Sequence, residues 1–374
     1  MFKLPSTLRT LAAFAFLLGW QTVSAQSLTL PPSGDNKKAS VSERIGITDV
    51  TIHYHRPGVK GREGKIWGQL VPYGFTDLGF GPRKPAPWRA GANENTTVSF
   101  SNDVKVEGKD LAAGTYGLHM AVDAASCTVI FSKNSTSWGS YFYNQDEDAL
   151  RVNVKPVQLE QSQEWLKYEF MDQTPNSATI ALVWEKLKIP FKVEVDVPKT
   201  VLASLRNELR SSPGFDWQNW NAAAQYCLQN NVNLEEGLTW AEQAVGAQYI
   251  GQANFATLST KAQLLEKLNR RAEADKVMQQ AMEKATPMEI HGYGRQLLSQ
   301  NRFKEALNIF LLNAKKNGNA WPINVGLARG YSAVGDTKNA LKYAKLALPQ
   351  APDEMNKKSL SDMISSLSAG KTVN

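Results

Sequence analysis

From Ile47 to Val197 apolar and polar residues alternate with a period of two. Val50, Ile52 and Tyr54 alternate with Thr51, His53 and His55. Val98 and Phe100 sit between polar neighbours, and Tyr116, Leu118, Met120 and Val122 fall on one face. Similar runs follow at Thr128–Phe131, Leu150–Val154, Leu166–Phe170, Ile180–Trp184 and Phe191–Val195, about eight short strands in all. Gly, Pro, Asn and Asp separate them, with turns expected at Asn102-Asp103 and Ala113-Gly114. This spacing predicts an all-β antiparallel sandwich or barrel. One long connection, Gly58–Gly91, interrupts the pattern, and loops of that length are commonly functional.

Pro198 stands where a helix can begin, Thr200–Arg210 has a helical pattern, and Ser211-Ser212-Pro213-Gly214 ends it. From Trp217 the period becomes 3.6 and a longer repeat appears. Leu327, Ala328, Tyr331, Gly335, Ala340, Ala344, Ala347 and Pro352 recur in spacing as Tyr293, Gly294, Leu297, Asn301, Ala306 and Phe310. They recur again as Lys261, Ala262, Leu265, Asn269, Ala274, Met278 and Ala281. The units start near 255, 287 and 321, so they are 32 and 34 residues apart. This resembles the tetratricopeptide repeat, a helix–turn–helix with small residues where helices meet. The leading Trp of that pattern is absent, and a generic helical bundle is the alternative. A degenerate unit covers roughly 217–250, with Trp240, Ala241 and Ala244 on its packing face. A last helix and tail, 353–374, would cap the stack. The chain therefore reads as a leader (1–25), an all-β domain (26–197), a linker helix (198–216), all-α tetratricopeptide-like repeats (217–352) and a cap.

The leader is read from Lys3 and Arg9, the apolar run Leu11–Trp20, and the small-residue signal Val23-Ser24-Ala25. A run of ten apolar residues is too short to span a bilayer, and the pattern is that of a secretory signal peptide. Export to the periplasm or medium is the expectation, with no membrane span after cleavage. An uncleaved anchor is the alternative. Cys127 and Cys227 lie in different halves and read as two separately buried thiols.

Charge sharpens the picture. The 374 residues carry a formal net charge of +7, from 42 basic and 35 acidic residues. Loss of the leader would remove two of those cations. Residues 53–89 hold seven cations (Arg56, Lys60, Arg62, Lys65, Arg83, Lys84, Arg89) against Glu63 and Asp77. The remaining basic excess is thus local. A local excess on an exported chain does not fit nucleic acid.

That same stretch carries the most specific motifs. It reads YHRPGVKGREGKIWGQLVPYG, then WRAGANENTTVSF. It resembles the exported bacterial family called domain of unknown function 2911 (DUF2911). The similarity continues through Ala113–Leu118, Trp138-Gly139, Tyr143, Asp148 and Leu150-Arg151-Val152, and ends near Trp184-Glu185. The resemblance implies a compact exported β domain, sometimes followed by tetratricopeptide repeats, and no assigned activity. This chain departs from the pattern in one place, an insertion at Phe75–Pro87 (FTDLGFGPRKPAP).

Arg56, Lys60, Arg62, Arg89 and Arg151 supply cations for carboxylate or phosphate. Tyr54, Trp67, Tyr73 and Trp88 supply flat faces, and Asn93 and Glu94 supply orienting polar groups. On loops of a rigid sandwich this composition suits a glycan or an anionic small ligand. The structural alternative pairs Arg56 and Arg89 with Glu94 and Asp148, pinning the long loop. Asp146, Glu147 and Asp148 read as a solvated acidic loop. An envelope-acting enzyme using Arg89, Asn93 and Glu94 is the competing function.

His53, His55 and His119 lack a metal-site signature, so no metal or other cofactor is expected. No G-x-S-x-G, H-E-x-x-H, P-loop or G-x-G-x-x-G occurs. In the repeats, the tetratricopeptide pattern places Ser259, Gln263, Glu266, His291, Arg295, Leu298, Val325, Arg329 and Ser332 on the groove. Of these, Gln263, His291, Arg295 and Arg329 are the candidates for holding a protein or peptide partner.

Overall fold

The computed structural model describes residues 35–373, and the predicted leader lies outside the described residues. The chain divides into two compact units between Thr200 and Val201.

The first unit is a two-sheet sandwich and not a closed barrel. Its strands are β1 (Lys37–Ile45), β2 (Thr48–Arg56), β3 (Thr97–Phe100), β4 (Val104–Val106), β5 (Lys109–Leu111), β6 (Gly114–Val122), β7 (Cys127–Ser132), β8 (Asp148–Val154), β9 (Val157–Thr174) and β10 (Ser177–Glu194). One sheet has the order β1-β2-β3-β6-β7-β8, the other β5-β4-β10-β9, and all pairings are antiparallel. Ile52, Val98, Leu118 and Val129 from the first sheet share a core with Leu166, Ile180, Leu182 and Phe191 from the second. Free Cys127 lies in the same core.

Three strands escaped the alternation. β1 (KKASVSERI) is an edge strand, mostly solvated and charged, so it has no apolar period to detect. β4 and β5 have three residues each and turn at Glu107 and Gly108, both with positive φ. β9 and β10 are 18 residues long where the sequence showed shorter pieces. Register shifts at Val183/Glu185 and Glu185/Leu187 break the period of β10. The bulge turns Glu185 inward, where its Oε1 accepts the Gly64 N–H at 3.2 Å.

The connection 58–91 is packed, not free. Val59, Ile66 and Val71 join the core. Gly58 bridges Trp165, Thr76 pairs with Ala86, and Trp88 pairs with Met120 of β6.

Helix α1 (Val197–Glu208) leads into the second unit. There α2 (Trp217–Asn230) pairs with α3 (Leu234–Gly246), α4 (Phe255–Lys267) with α5 (Arg271–Lys284), α6 (Pro287–Ser299) with α7 (Phe303–Asn317), and α8 (Trp321–Ala333) with α9 (Thr337–Ala347). The last three pairs keep the 32 and 34 spacing at both helix starts. Each turns through a left-handed residue at the same place: Asn269 (φ 61°), Asn301 (φ 60°) and Gly335 (φ 83°). Only residues that tolerate that region serve there. Buried Ala274, Ala306 and Ala340 occupy the equivalent first turn of each second helix.

The Phe310 ring shows why glycines recur. It lies against Gly294 of α6 and against Gly326 and Gly330 of α8, where added Cβ atoms would collide with it. Capping boxes at Asn254 and Thr286 start α4 and α6. The stack ends in α10 (Glu354–Ser368), whose Leu360, Met363 and Leu367 cover Ala340, Ala344 and Ala347. Among the described residues no helix is long and apolar enough to cross a membrane.

Candidate functional site

Five of the predicted site residues, Lys60, Arg62, Trp88, Arg89 and Asn93, come together around a cavity of about 470 Å³ in the β unit. Its wall also takes Trp184 from β10, Trp138 and Ser140 from the β7–β8 connection, and Leu78 from the insertion. Trp88 stacks on Trp184 at 6.0 Å between centroids. Trp67 meets both edge-on from the core side and does not line the cavity. The buried Nε1 atoms of Trp67 and Trp184 have no acceptor.

Arg56, Arg62 and Arg89 are held by carbonyls, not by acids. Arg56 donates through Nε to the Leu166 carbonyl at 2.8 Å, tying β2 to β9. Arg62 donates to the Val59 and Gly58 carbonyls at 2.9 and 2.7 Å, closing its own loop. Arg89 donates to the Asn93 carbonyl, and its guanidinium lies over the rings of Trp138 and Tyr141. Gly139 takes the left-handed φ of 70° that favours glycine, and a Cβ there would displace the Arg89 guanidinium. Ala90 and Asn93 are both left-handed, so the Arg89 bond holds a strained turn.

The expected pairings of Arg56 and Arg89 with Glu94 and Asp148 do not form. Asp148 accepts Arg151 Nε and the Tyr143 hydroxyl, each at 2.6 Å, and so belongs to a buried network and not to a solvated loop. Glu94 pairs with His55 at 3.2 Å and is not on the cavity wall. Burial lowers the pKa of His55 despite Glu94. Lys60 lies near Asp35 at 3.8 Å and over the Trp165 ring.

The remaining candidates serve the fold. Tyr54 is buried, edge-on to Tyr168, and its hydroxyl accepts the Tyr168 N–H. Tyr73 covers Gly68. Arg151 lies over the Phe75 ring at the start of the insertion. Neither Tyr54, Arg56, Tyr73 nor Arg151 lines the cavity.

Sequence reasoning missed Trp138, Ser140 and Trp184 as wall residues. Their signal was present only as the Trp138-Gly139 and Trp184-Glu185 steps of the family-like pattern. His119 is buried. Its Nδ1 meets the Ser140 hydroxyl at 3.0 Å. Burial, then Arg89, pushes its pKa down to about 4. Among the described residues no group of three or more His, Cys, Asp or Glu is placed to hold a metal.

In the repeat unit, Gln263 lies in a concavity of about 680 Å³ with Gln225, Tyr293, Gln296 and Gln300. Gln296 donates to Gln263 at 2.7 Å. Arg302 at its edge is paired with Glu266 and Glu305. His291, Arg295 and Arg329 do not line that concavity. Leu298, Val325 and Ser332, expected to face a groove, are buried. The Ser332 hydroxyl accepts the N–H of Val373 in the tail.

Residues 36–193 match the family described as protein of unknown function (DUF2911). No curated protein matches the chain. Among solved structures, a Podosopora anserina protein of nearly identical TPR-like repeats, described as a kinesin light chain, is 13% identical. That match covers 41% of this chain and 85% of that one at a TM-score of 0.29. MamA from Desulfovibrio magneticus RS-1 is 15% identical over 41% of this chain and 93% of that one, with a TM-score of 0.26.

Proposed function

We propose that this protein, with a DUF2911 β domain at residues 36–193 and tetratricopeptide-like repeats after it, is an exported binding scaffold. Its β cavity takes a ligand that joins an anionic group to a flat apolar face. The observation that carries this reading is the composition of the wall. Arg62 and Arg89 reach it with Lys60, and no Asp or Glu lines it. Carbonyl acceptors satisfy the hydrogen bonds of Arg62 and Arg89 without cancelling their charge, so the wall stays positive. Trp88 and Trp184 offer the apolar face, and an acceptor on the ligand would relieve the unpaired indole N–H of Trp184. The repeats serve as the protein-interaction half. Support for export is the charged, apolar and small-residue order of residues 1–25.

The test uses intrinsic tryptophan fluorescence with glucuronate, N-acetylmuramate and indole-3-acetate as probes, each against its neutral amide or alcohol. Saturable quenching by an acid but not by its neutral partner is expected. It should weaken about tenfold in Trp138→Ala, whose exposed ring stands on the cavity wall and faces the Arg89 guanidinium. No saturable change with any acid would sink the reading.

One observation favours a hydrolytic second reading: His119 holds the hydroxyl of Ser140 at the cavity wall. Release of p-nitrophenol from its acetate ester by the wild-type chain, and not by Ser140→Ala, would establish it. Equal rates in both would end it.

A further inference from the structure

The insertion at Phe75–Pro87, where this chain departs from the family pattern, is a fastened segment. Thr76 and Ala86 exchange backbone hydrogen bonds at 3.0 and 2.9 Å and close its base. At its tip Gly81 (φ 71°) comes so near the Tyr141 carbonyl that a Cβ would stand 2.8 Å from the oxygen. The tip is thereby seated on the β7–β8 connection. Between these fixed points Leu78 joins the cavity wall, while Phe80 does not.

Phe80 instead completes a row of rings outside the cavity. It meets Tyr141 edge-on at 5.6 Å and Phe142 edge-on at 6.1 Å. Tyr141 lies nearly parallel to Trp138, at 7° and 6.0 Å between centroids. Phe80, Phe142 and Trp138 are 64%, 61% and 55% exposed, so each keeps more than half its surface in water. Single exposed apolar side chains are ordinary, but a contiguous group of them marks a binding surface. Trp138 belongs to both places. It ends the row of rings, and it stands on the cavity wall with Arg89, whose guanidinium lies over it. The row therefore continues the cavity. Beyond Phe80 the same insertion carries exposed Arg83 and Lys84 against one acid, Asp77, which takes Arg83 at 3.1 Å.

We propose that the rings of Trp138, Tyr141, Phe80 and Phe142 form a second subsite, so that the β cavity and its rim together hold an acidic oligosaccharide chain and not one acidic sugar. This rests on the reading of the cavity as an anion site. A sugar ring has C–H faces that pack on aromatic faces while its hydroxyls stay in water. A chain of acidic sugars repeats a ring and a carboxylate. The protein offers the matching order: the cations of the wall, the row of rings, then Arg83 and Lys84. Because the tip is seated on its neighbour, the rings form a surface along which a ligand lies. That shape suits a chain better than it suits insertion into a bilayer, the other surface that pairs rings with cations.

Isothermal titration calorimetry of the whole chain tests it with two pairs of probes: galacturonate and trigalacturonate, glucuronate and a hyaluronan tetrasaccharide. In at least one pair the oligomer should bind about tenfold or more tighter than the single acid, since its second contact is made without a second loss of freedom. Phe80→Ala should abolish that advantage and leave affinity for the single acid within about twofold, because Phe80 is off the cavity wall. Should Phe80→Ala lower the melting of the β unit, exposed Phe142→Ala decides. Equal affinity for single acid and oligomer in both pairs would overturn the second subsite and leave the cavity reading intact. Binding of neither would overturn both. An advantage that survives Phe80→Ala and Phe142→Ala would overturn the row of rings as its source. Sedimentation with vesicles of equal parts phosphatidylglycerol and phosphatidylcholine, lost in Phe80→Ala and without any oligomer advantage, would assign the rings to a membrane surface and overturn the proposal.

Discussion

Arg89 in the β unit and Arg329 in the repeat unit are both partly buried, and neither has a carboxylate beside it. They differ in what happens to their hydrogen-bond donors. Arg89 donates to the Asn93 carbonyl and lies over two aromatic rings, while Arg329 keeps an unused Nε. A carbonyl satisfies a donor without neutralising its charge. Arg89 can therefore hold its own loop and still present a positive wall. Structural and binding roles, opposed in the sequence, are compatible in this arrangement. Arg329 has no such partner, and burial lowers its pKa.

The sharpest way to separate the two units is to break the packing of one. Gly326→Val drives a branched side chain into the Phe310 ring. Overpacking of this kind costs about 3 kcal/mol. Calorimetry should show the repeat transition falling while the β transition stays. Equal loss in both would mean that the units do not melt separately.

Acid is expected to act almost as strongly, through one histidine in each unit. His119 falls from its ordinary 6.5 to about 4 in the fold. The unfolded chain takes up that proton below about pH 6.5, and the folded chain does so only near pH 4. Stability is therefore level above 6.5, declines from there to about 4, and is level again below, a loss of about 3 kcal/mol. His119→Gln should remove most of that slope from the β transition in melts taken across this range. His291 is lowered in the same direction, also to about 4. His291→Gln should remove the corresponding slope from the repeat transition.

The repeats were legible because their constraints are local and recur. Asn269, Asn301 and Gly335 each take a left-handed turn, and small residues meet large ones at fixed spacing. The β cavity was half legible. Lys60, Arg62, Trp88, Arg89 and Asn93 sit in one stretch of sequence, while Trp138, Ser140 and Trp184 arrive from distant strands. Alternation cannot announce such meetings. Nor can composition show that an arginine's partner is a carbonyl, since every residue has one. That is why an acid stood as one alternative partner for Arg56, whose partner is the Leu166 backbone.

A smaller effect tests the arginine comparison itself. Arg89→Ala removes the Asn93 bond and the ring contacts, and should cost the β unit about 2 kcal/mol. Arg329→Met should move the repeat unit the other way, by about 1 kcal/mol, because a desolvated charge leaves and the aliphatic stem stays. Chemical denaturation read by far-ultraviolet circular dichroism measures both. Destabilisation by both substitutions would erase the distinction drawn between these residues.

The smallest expected change falls on Glu94, the acid of the competing enzymatic reading. Its carboxylate is 59% exposed and pairs with His55, whose own pKa is lowered. At pH 7 that imidazole is neutral, so the contact is a solvent-screened hydrogen bond more than an ion pair. Glu94→Gln keeps an acceptor oxygen in the same place. It should shift stability by less than about 0.5 kcal/mol and leave the quenching by anionic probes unchanged, since Glu94 is absent from the cavity wall. A tenfold loss of probe binding in Glu94→Gln would move the site to the His55 side of the Ala90–Asn93 turn, and the cavity would then be a consequence of packing.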